Sequence, residues 1–168
     1  MGVIKTILRY AGGFAVTLAA TVLLQALYAA HPDALTGTLA PVNGSPWELS
    51  KALYWPYLCG AMCIWGLGKD DDCRGGHCVL LVGMPLLCAA VFSLWKEANP
   101  WLVWCMVLAV GIALYALFFR HRVRGGELLW VTLAILLGIA YLLFTVMPPA
   151  WRIFLDPRDV ATFVPIPF

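Results

Sequence analysis

Long apolar runs separated by short polar segments make up almost the whole chain. Four runs contain no charged residue and have the length that a helix needs to cross a hydrocarbon core, about 17 to 25 residues. They cover residues 10–30, 78–95, 101–119 and 128–147. A fifth run, residues 52–68, is shorter. It reaches spanning length only if its helix begins upstream, near Pro46.

The residues before the fifth run predict such an early helix start. Ser45 is a favourable N-cap residue, Pro46 then takes the first helical position, and Glu48 stands three residues after the cap, which completes a capping-box pattern. Pro56 removes the N–H that would bond the carbonyl of Ala52. We therefore predict a second helix that begins near Pro46 and is kinked at Pro56.

Composition agrees with a membrane protein. The chain has 168 residues, of which 62% are hydrophobic and 12% charged, and its mean hydropathy is +0.86. These values predict one all-α transmembrane domain, residues 1–168, with the lipid bilayer as its partner. A net charge of +2 is too small to indicate a nucleic-acid partner. The predicted helices lie at about residues 4–30, 46–68, 78–95, 100–120 and 127–147, and residues 148–168 form a tail.

The distribution of Lys and Arg predicts the orientation of these five spans. With the N-terminus inside, seven basic residues lie inside and four outside, which favours an N-in, C-out arrangement in a cytoplasmic membrane. The tail and the segment before the second helix then share the outer side. The inner residues are Lys5, Arg9, Lys69, Arg74, Arg120, Arg122 and Arg124, and the outer ones are Lys51, Lys96, Arg152 and Arg158.

The apolar runs contain few polar side chains that could serve transport or catalysis. The five apolar cores contain no Asp, Glu, Lys, Arg or His, so we do not expect a carrier with a charged site at the midplane. Small residues in the first helix, such as Ala15 and Ala19, are predicted to serve close helix packing. No catalytic residue is assigned.

The cysteines raise the question of a metal site. Cys59 and Cys63 share a helix face, and a loop predicted on the inner side holds Cys73, His77 and Cys78. Three soft ligands are fewer than the four that structural zinc prefers, and cysteine is often a small buried hydrophobe. We interpret the loop as a solvated turn and predict neither a metal nor another cofactor.

The segment between the first two helices is the main candidate for a site. Asn43, Trp47, Glu48 and Lys51 stand close together in a chain that has few polar residues. Lys51 could pair with Glu48 or extend to the headgroups. Since the tail lies on the same predicted side, Asp156 could join them, and we expect Asn43 to bridge loop and tail. These five residues form our candidate ligand- or partner-binding set.

Three functions fit this set. We prefer a non-catalytic membrane protein whose loop 31–51 and C-terminal tail form a cap that binds a ligand or partner on the extracytoplasmic side. One alternative is an oligomeric channel or passive transporter with Glu48 or Asn43 at the pore mouth. The other is a membrane enzyme acting on a lipid or lipid-linked substrate, with Glu48 as base and Lys51 as its electrostatic partner. A homo-oligomer or a second membrane protein could be the partner.

Two short motifs resemble a family of small bacterial integral membrane proteins of unknown function. That family has the patterns P-V-N-E-S-x-W-E-H-x-K and P-P-x-x-x-x-F-x-D-P. The resemblance implies the same multi-pass fold in a bacterial inner membrane, but no activity. This chain has Gly44 and Leu49 where the family has an acidic residue and a His. The matching residues are Pro41, Val42, Asn43, Ser45, Trp47, Glu48 and Lys51, followed by Pro148, Pro149, Phe154, Asp156 and Pro157.

Overall fold

The chain is helical wherever its structure is described. The computed structural model describes residues 2–66, 74–119 and 126–156, and none of these forms a β-strand. A π-helical turn, Tyr115–Phe119, extends the fifth helix, and a 3-10 turn, Arg152–Phe154, follows the last one. The helices are α1 Gly2–Ala30, α2 Ala34–Leu39, α3 Pro46–Gly66, α4 Arg74–Leu94, α5 Pro100–Leu114 and α6 Glu127–Val146.

Four of the helical segments are long and apolar enough to cross a membrane. This confirms the predicted all-α membrane class. Their outer surfaces are apolar too: α6 exposes Leu129, Leu136 and Leu143 while it buries Ala134 and Gly138. Leucine side chains turned outward around a buried core of small residues suit a helix surrounded by lipid. The four segments are Ile7–Ala30, Gly75–Leu94, Pro100–Phe118 and Glu127–Val146.

Helix α3 occupies the centre of the bundle. It packs most extensively against α1 and α4, and it also contacts α2, α5 and α6. Its side chains Leu53, Tyr57 and Ile64 are almost fully buried. It carries Glu48 and Lys51 in its first two turns and is not among the four most apolar segments. The more polar helix is thus surrounded by more apolar ones, which reduces its exposure to lipid.

Small residues let α1 and α3 approach closely. Gly13, Thr17 and Thr21 follow one another at intervals of four on α1, and all three are buried. The hydroxyl group of Thr21 donates to the carbonyl of Ala52 on α3 at 3.2 Å. A Cβ atom added to Gly60 of α3 would collide with the Thr17 side chain and would lie 2.8 Å from the carbonyl oxygen of Gly13.

The prediction that Ala15 and Ala19 mediate helix packing is wrong, because both side chains are exposed. A helix turns by about 100° per residue. Ala15 is therefore about 200° away from the buried Thr17, on the opposite side of α1. Small size marks a residue that permits close packing, but only the position of the neighbouring helix decides which small residues are used.

The sequence predicts a turn at His77, but the structure places this residue in a helix. It belongs to α4, within the segment Gly75–Leu94 that could cross a membrane, and is 8% exposed. Its Nδ1 lies 3.0 Å from the hydroxyl of Tyr57, and its ring stacks on Tyr115 at 4.1 Å. The helix thus begins at Arg74, earlier than the predicted residue 78, and includes a buried ionisable side chain. Cys73 lies outside the described residues.

The tight contact of α1 with α3 gives a stability prediction. We expect Gly60→Ala to lower the free energy of unfolding by about 1 to 3 kcal/mol, because the new methyl group meets a backbone carbonyl that cannot move freely. Gly83→Ala on α4 is the matched control, since a Cβ there meets nothing within 4 Å. Thermal unfolding of the purified protein in detergent measures both. Equal stability of the two variants would contradict this packing.

Candidate functional site

Ser45 caps α3, as predicted. Its carbonyl oxygen accepts the N–H of Leu49 at 2.9 Å, and its hydroxyl oxygen accepts the N–H of Glu48 at 3.3 Å. In the second half of the expected capping box, the side chain of Glu48 would accept the N–H of Ser45, but both groups have other partners. The N–H of Ser45 donates to Oδ1 of Asn43 at 3.0 Å, and Oε2 of Glu48 accepts the N–H of Val42 at 3.0 Å. Two side chains therefore hold the loop that leads into α3.

The short helix α2 positions another part of the site, the carbonyl group of Gly37. Asp33 caps α2: its Oδ1 accepts the N–H of Thr36 at 2.8 Å, and its own N–H donates to Thr36 Oγ1 at 3.2 Å. Hydrogen bonds from the backbone and then the side chain of Thr36 lower the pKa of Asp33. This cap fixes the start of the six-residue helix α2, which carries the carbonyl group of Gly37 toward α3.

Lys51 is fully buried and has a partner for each of its three N–H groups. Its side chain is 0% exposed, and Nζ lies 2.6 Å from Oε2 of Glu48. Nζ also donates to the carbonyl of Gly37 at 2.8 Å and to Oγ1 of Thr145 at 2.7 Å. An ammonium group has three donors, so this cation is completely satisfied within the protein. It does not extend to the headgroups.

Glu48 is nearly as buried, at 5% exposure. Its Oε2 accepts from both Val42 and Lys51, and the Thr145 hydroxyl lies 3.2 Å from its Oε1. That hydroxyl also lies 2.7 Å from the carbonyl of Tyr141, and its single hydrogen serves one of these acceptors at a time. Glu48 and Lys51 thus connect α2, α3, α6 and the loop. We call these contacts the buried pair network.

Trp47 belongs to the protein core. Its indole packs against Tyr141, Phe144 and Phe154, with ring centroids 4.6, 5.6 and 5.0 Å away. Ser50, one turn further along α3, lies 2.6 Å from the Tyr141 hydroxyl. These contacts seal the buried pair network against α6 and the tail. Trp47 is therefore placed to hold the cap together.

The loop and the tail meet through Asp156. Its Oδ2 accepts the N–H of Gly44 at 2.7 Å, and a Cβ on residue 44 would lie only 2.9 Å from the same oxygen. An acidic side chain at position 44 would bring two carboxylates together, so Gly44 suits this contact. Asn43 does not make the expected bridge, since its Oδ1 bonds Ser45 in the same loop. We call the end of the bundle where this loop, the start of α3 and Asp156 lie the cap end.

A large cavity opens at the cap end, with a volume of about 1030 Å³. Of the five candidate residues, Asn43 and Asp156 line it, whereas Trp47, Glu48 and Lys51 do not. We call it the cap cavity. Most of its polar and aromatic wall lies outside the five candidate residues, although the polar residues Lys96, Glu97 and Asn99 between two apolar runs were a visible signal. The further wall residues are Gln25, Tyr28, Lys96, Glu97, Asn99, Trp101 and Trp104.

The wall of the cap cavity combines charges of both signs with aromatic rings. Trp101 and Trp104 form an edge-to-face pair with centroids 5.1 Å apart, and the indole N–H of Trp104 donates to the Leu49 carbonyl at 2.9 Å. That bond fixes one ring relative to α3. Gln25 contributes a buried Nε2 without a hydrogen-bond partner among the described residues. The wall thus offers both cation- and anion-recognising groups.

Glu48 reaches a second and much smaller cavity of about 40 Å³, together with Ser45 and Thr145. A cavity needs about 10 to 15 Å³ of such volume to hold one water molecule, so this one is sized for a few waters. Elsewhere in the described ranges, no three His, Cys, Asp or Glu residues cluster in a way that could hold a metal ion.

The buried pair network predicts a double-mutant signature. We expect Lys51→Met alone to lower the free energy of unfolding by about 3 to 5 kcal/mol, because it leaves the Glu48 carboxylate buried without its cation. Adding Glu48→Gln should recover much of that loss, since the remaining amide is neutral. Thermal and denaturant unfolding of both single variants and the double variant measures the coupling. Additive losses would show that the two charges do not depend on each other.

The capping bond gives a smaller, independent prediction. Ser45→Ala should cost about 0.5 to 2 kcal/mol, because the N–H of Glu48 loses its acceptor. Ser93→Ala is the control, since the Ser93 hydroxyl only donates to the Ala89 carbonyl within α4. The same unfolding measurement compares them. A loss at Ser93 as large as that at Ser45 would argue against a specific capping role.

Comparison with protein-family models, curated proteins and solved structures finds no match for this chain. The resemblance of its two motifs to a membrane protein family therefore stays a prediction. Residues from both motifs meet at the cap end, where the ring of Trp47 packs against that of Phe154. The cap end is therefore the candidate functional site.

Proposed function

We propose that this chain is a non-catalytic, multi-pass membrane protein whose cap cavity binds a small zwitterionic ligand. The observation that carries the proposal is a cavity of about 1030 Å³ whose wall contains two carboxylates, Glu97 and Asp156, and the ammonium group of Lys96. Ligand pockets typically measure about 300 to 1,000 Å³ and combine an apolar lining with a few polar groups. The cap cavity lies just above that range, and its wall combines aromatic rings with several charged and amide groups.

The two halves of a zwitterion have distinct partners in this wall. Glu97 and Asp156 supply carboxylates for a cationic group, and the neighbouring rings of Trp101 and Trp104 add faces that attract cations. Lys96 supplies a positive charge for the anionic group. The carboxamides of Gln25, Asn43 and Asn99 can donate hydrogen bonds to it.

The contacts of Glu48 and Lys51 favour a scaffold role over the two alternatives. A pore-mouth ring or a catalytic base needs contact with the permeating ion or the substrate. Glu48 is 5% exposed and lines only a small cavity among those described, and every N–H of Lys51 already has an acceptor. In this proposal the buried pair network positions the loop whose Asn43 reaches the cap cavity.

The proposal includes five spans, N-in and C-out. They are the four apolar segments and α3, which is kinked at Pro56. Residues at the ends of α1, α4 and α6 lie near the starts of α3 and α5 around the cap end, which supports spans that run in alternate directions. The asymmetry of Lys and Arg supports an extracytoplasmic cap. The resemblance to bacterial proteins supports a bacterial cytoplasmic membrane.

Ligand binding can be tested with phosphocholine and glycine betaine as probes. We expect both to raise the melting temperature of the purified protein, because binding to the folded state stabilises it. Trp101→Ala should weaken binding by about 0.5 to 1 kcal/mol, the value of an exposed cation–π contact. Trp95→Ala is the matched control, because Trp95 is also exposed but does not line the cap cavity. Isothermal titration calorimetry measures the affinities.

Glu97→Gln should weaken both probes as well, since it removes an exposed carboxylate without changing its shape. Sulfate and tetramethylammonium, each with one sign of charge, should bind more weakly than either zwitterion. Binding of neither probe to the wild-type protein would contradict the zwitterion proposal, and so would equal losses in Trp95→Ala and Trp101→Ala.

The orientation can be tested by thiol labelling in a cysteine-free background. Ala34→Cys and Ala150→Cys should react with an impermeant reagent in intact cells, whereas Lys5→Cys should react only after lysis. All three side chains are exposed, so access to the reagent depends on the side of the membrane. Labelling of position 5 alone in intact cells would place the cap end in the cytoplasm.

A further inference from the structure

A second groove lies beside the cap cavity, between the end of α4 and the tail. Its volume is about 320 Å³, and Lys96 lines both it and the cap cavity. Phe92 and Lys96 come from α4 and the turn after it, Arg152 and Leu155 come from the tail, and Pro46 closes the groove from α3. We call it the tail groove. It brings together parts of the chain that are far apart in sequence.

The charges along the tail groove have one sign. Among the residues that the structure describes, Lys96 and Arg152 are the two ionisable ones that line it, and no carboxylate does. Both side chains are exposed, and within residues 2–66, 74–119 and 126–156 the structure pairs neither with an acid. The nearest acid in sequence, Glu97, lines the cap cavity instead. Two cations from different elements thus converge on one groove, an arrangement that suits a phosphate group.

The remaining wall of the tail groove is largely apolar. Phe92, Ile153 and Leu155 line it, and the exposed indoles of Trp95 and Trp151 lie next to it in sequence. Exposed tryptophans are typical of the level of the lipid headgroups. A pair of cations and an apolar wall in one groove match an amphiphile with a negative headgroup. A free anion would leave the apolar wall unused.

We infer that the tail groove binds an anionic phospholipid. The phosphate lies between Lys96 and Arg152, and an acyl chain runs along Phe92, Ile153 and Leu155. The bound lipid joins α4 to the tail, whose Asp156 already contacts the loop before α3. This site shares Lys96 with the proposed zwitterion site but does not require a bound zwitterion, because Arg152 and the apolar wall of the groove do not line the cap cavity.

The test compares three probes on the full-length protein in a neutral detergent. Dioctanoyl phosphatidylglycerol, dioctanoyl phosphatidylcholine and inorganic phosphate are titrated at equal ionic strength, and native mass spectrometry counts retained lipid. We expect phosphatidylglycerol to be retained in preference to phosphatidylcholine. Lys96→Gln and Arg152→Gln should each weaken its retention about fivefold, the effect of one basic residue near an anionic lipid. Lys5→Gln, an exposed lysine at the start of α1, is the charge-matched control.

A second variant tests the acyl-chain contact. Leu155→Ser should weaken retention of phosphatidylglycerol, since Leu155 is exposed and lines the groove. Circular dichroism should show unchanged helicity, because all these substitutions are at exposed positions. Arg152→Gln should leave phosphocholine binding unchanged, so failure of one proposal does not imply failure of the other.

Three results would overturn the lipid assignment. They are equal retention of the two lipids, losses in Lys96→Gln and Arg152→Gln no larger than in Lys5→Gln, and displacement of phosphatidylglycerol by inorganic phosphate together with wild-type retention in Leu155→Ser. The last result would identify a site for free phosphate.

Discussion

The cap end depends on the burial of one ammonium group. Lys51 has no contact with solvent, so each of its N–H groups must find an acceptor inside the protein. Those acceptors are Glu48 on its own helix, the Gly37 carbonyl on α2 and Thr145 on α6. Moving α2 or α6 away would leave one N–H of this buried ammonium group without its acceptor. Lys51 therefore links the positions of α2 and α6 to that of α3.

Much of the fold could be predicted from local sequence, because the helices depend on residues that are neighbours in the chain. Apolar runs predict the segments that could span a membrane, and Ser45 with Pro46 predicts the start of α3. The depth of Glu48 and Lys51 could not be predicted in that way. On an isolated helix both would face water, and it is α2 and α6, distant in sequence, that cover them. The same reason explains why His77 was misplaced, since its partner Tyr57 lies on another helix.

The candidate site was predicted in part for a related reason. One tight motif supplied all five candidates except Asp156, but the structure divides them between two tasks. Glu48, Lys51 and Trp47 are buried in the scaffold, whereas Asn43 and Asp156 reach the cap cavity. A sequence motif shows which residues occur together. It does not show which of them support the fold and which of them line a cavity. Most of the remaining cavity wall comes from α1, the segment between α4 and α5, and the start of α5, which no short motif could include.

The tail connects the two proposed sites, and this has a thermodynamic consequence. Asp156 lines the cap cavity and bonds the N–H of Gly44, while Arg152, four residues earlier, lines the tail groove. A lipid in the tail groove would favour the docked tail, because it binds the tail and α4 together. The docked tail carries the Asp156 carboxylate that the zwitterion requires. This contact favours positive coupling, and by linkage each ligand changes the affinity of the other by the same factor. Lys96 has the opposite effect, since one ammonium cannot serve both anions at full strength, and the sign of the coupling depends on which of these two contacts is stronger.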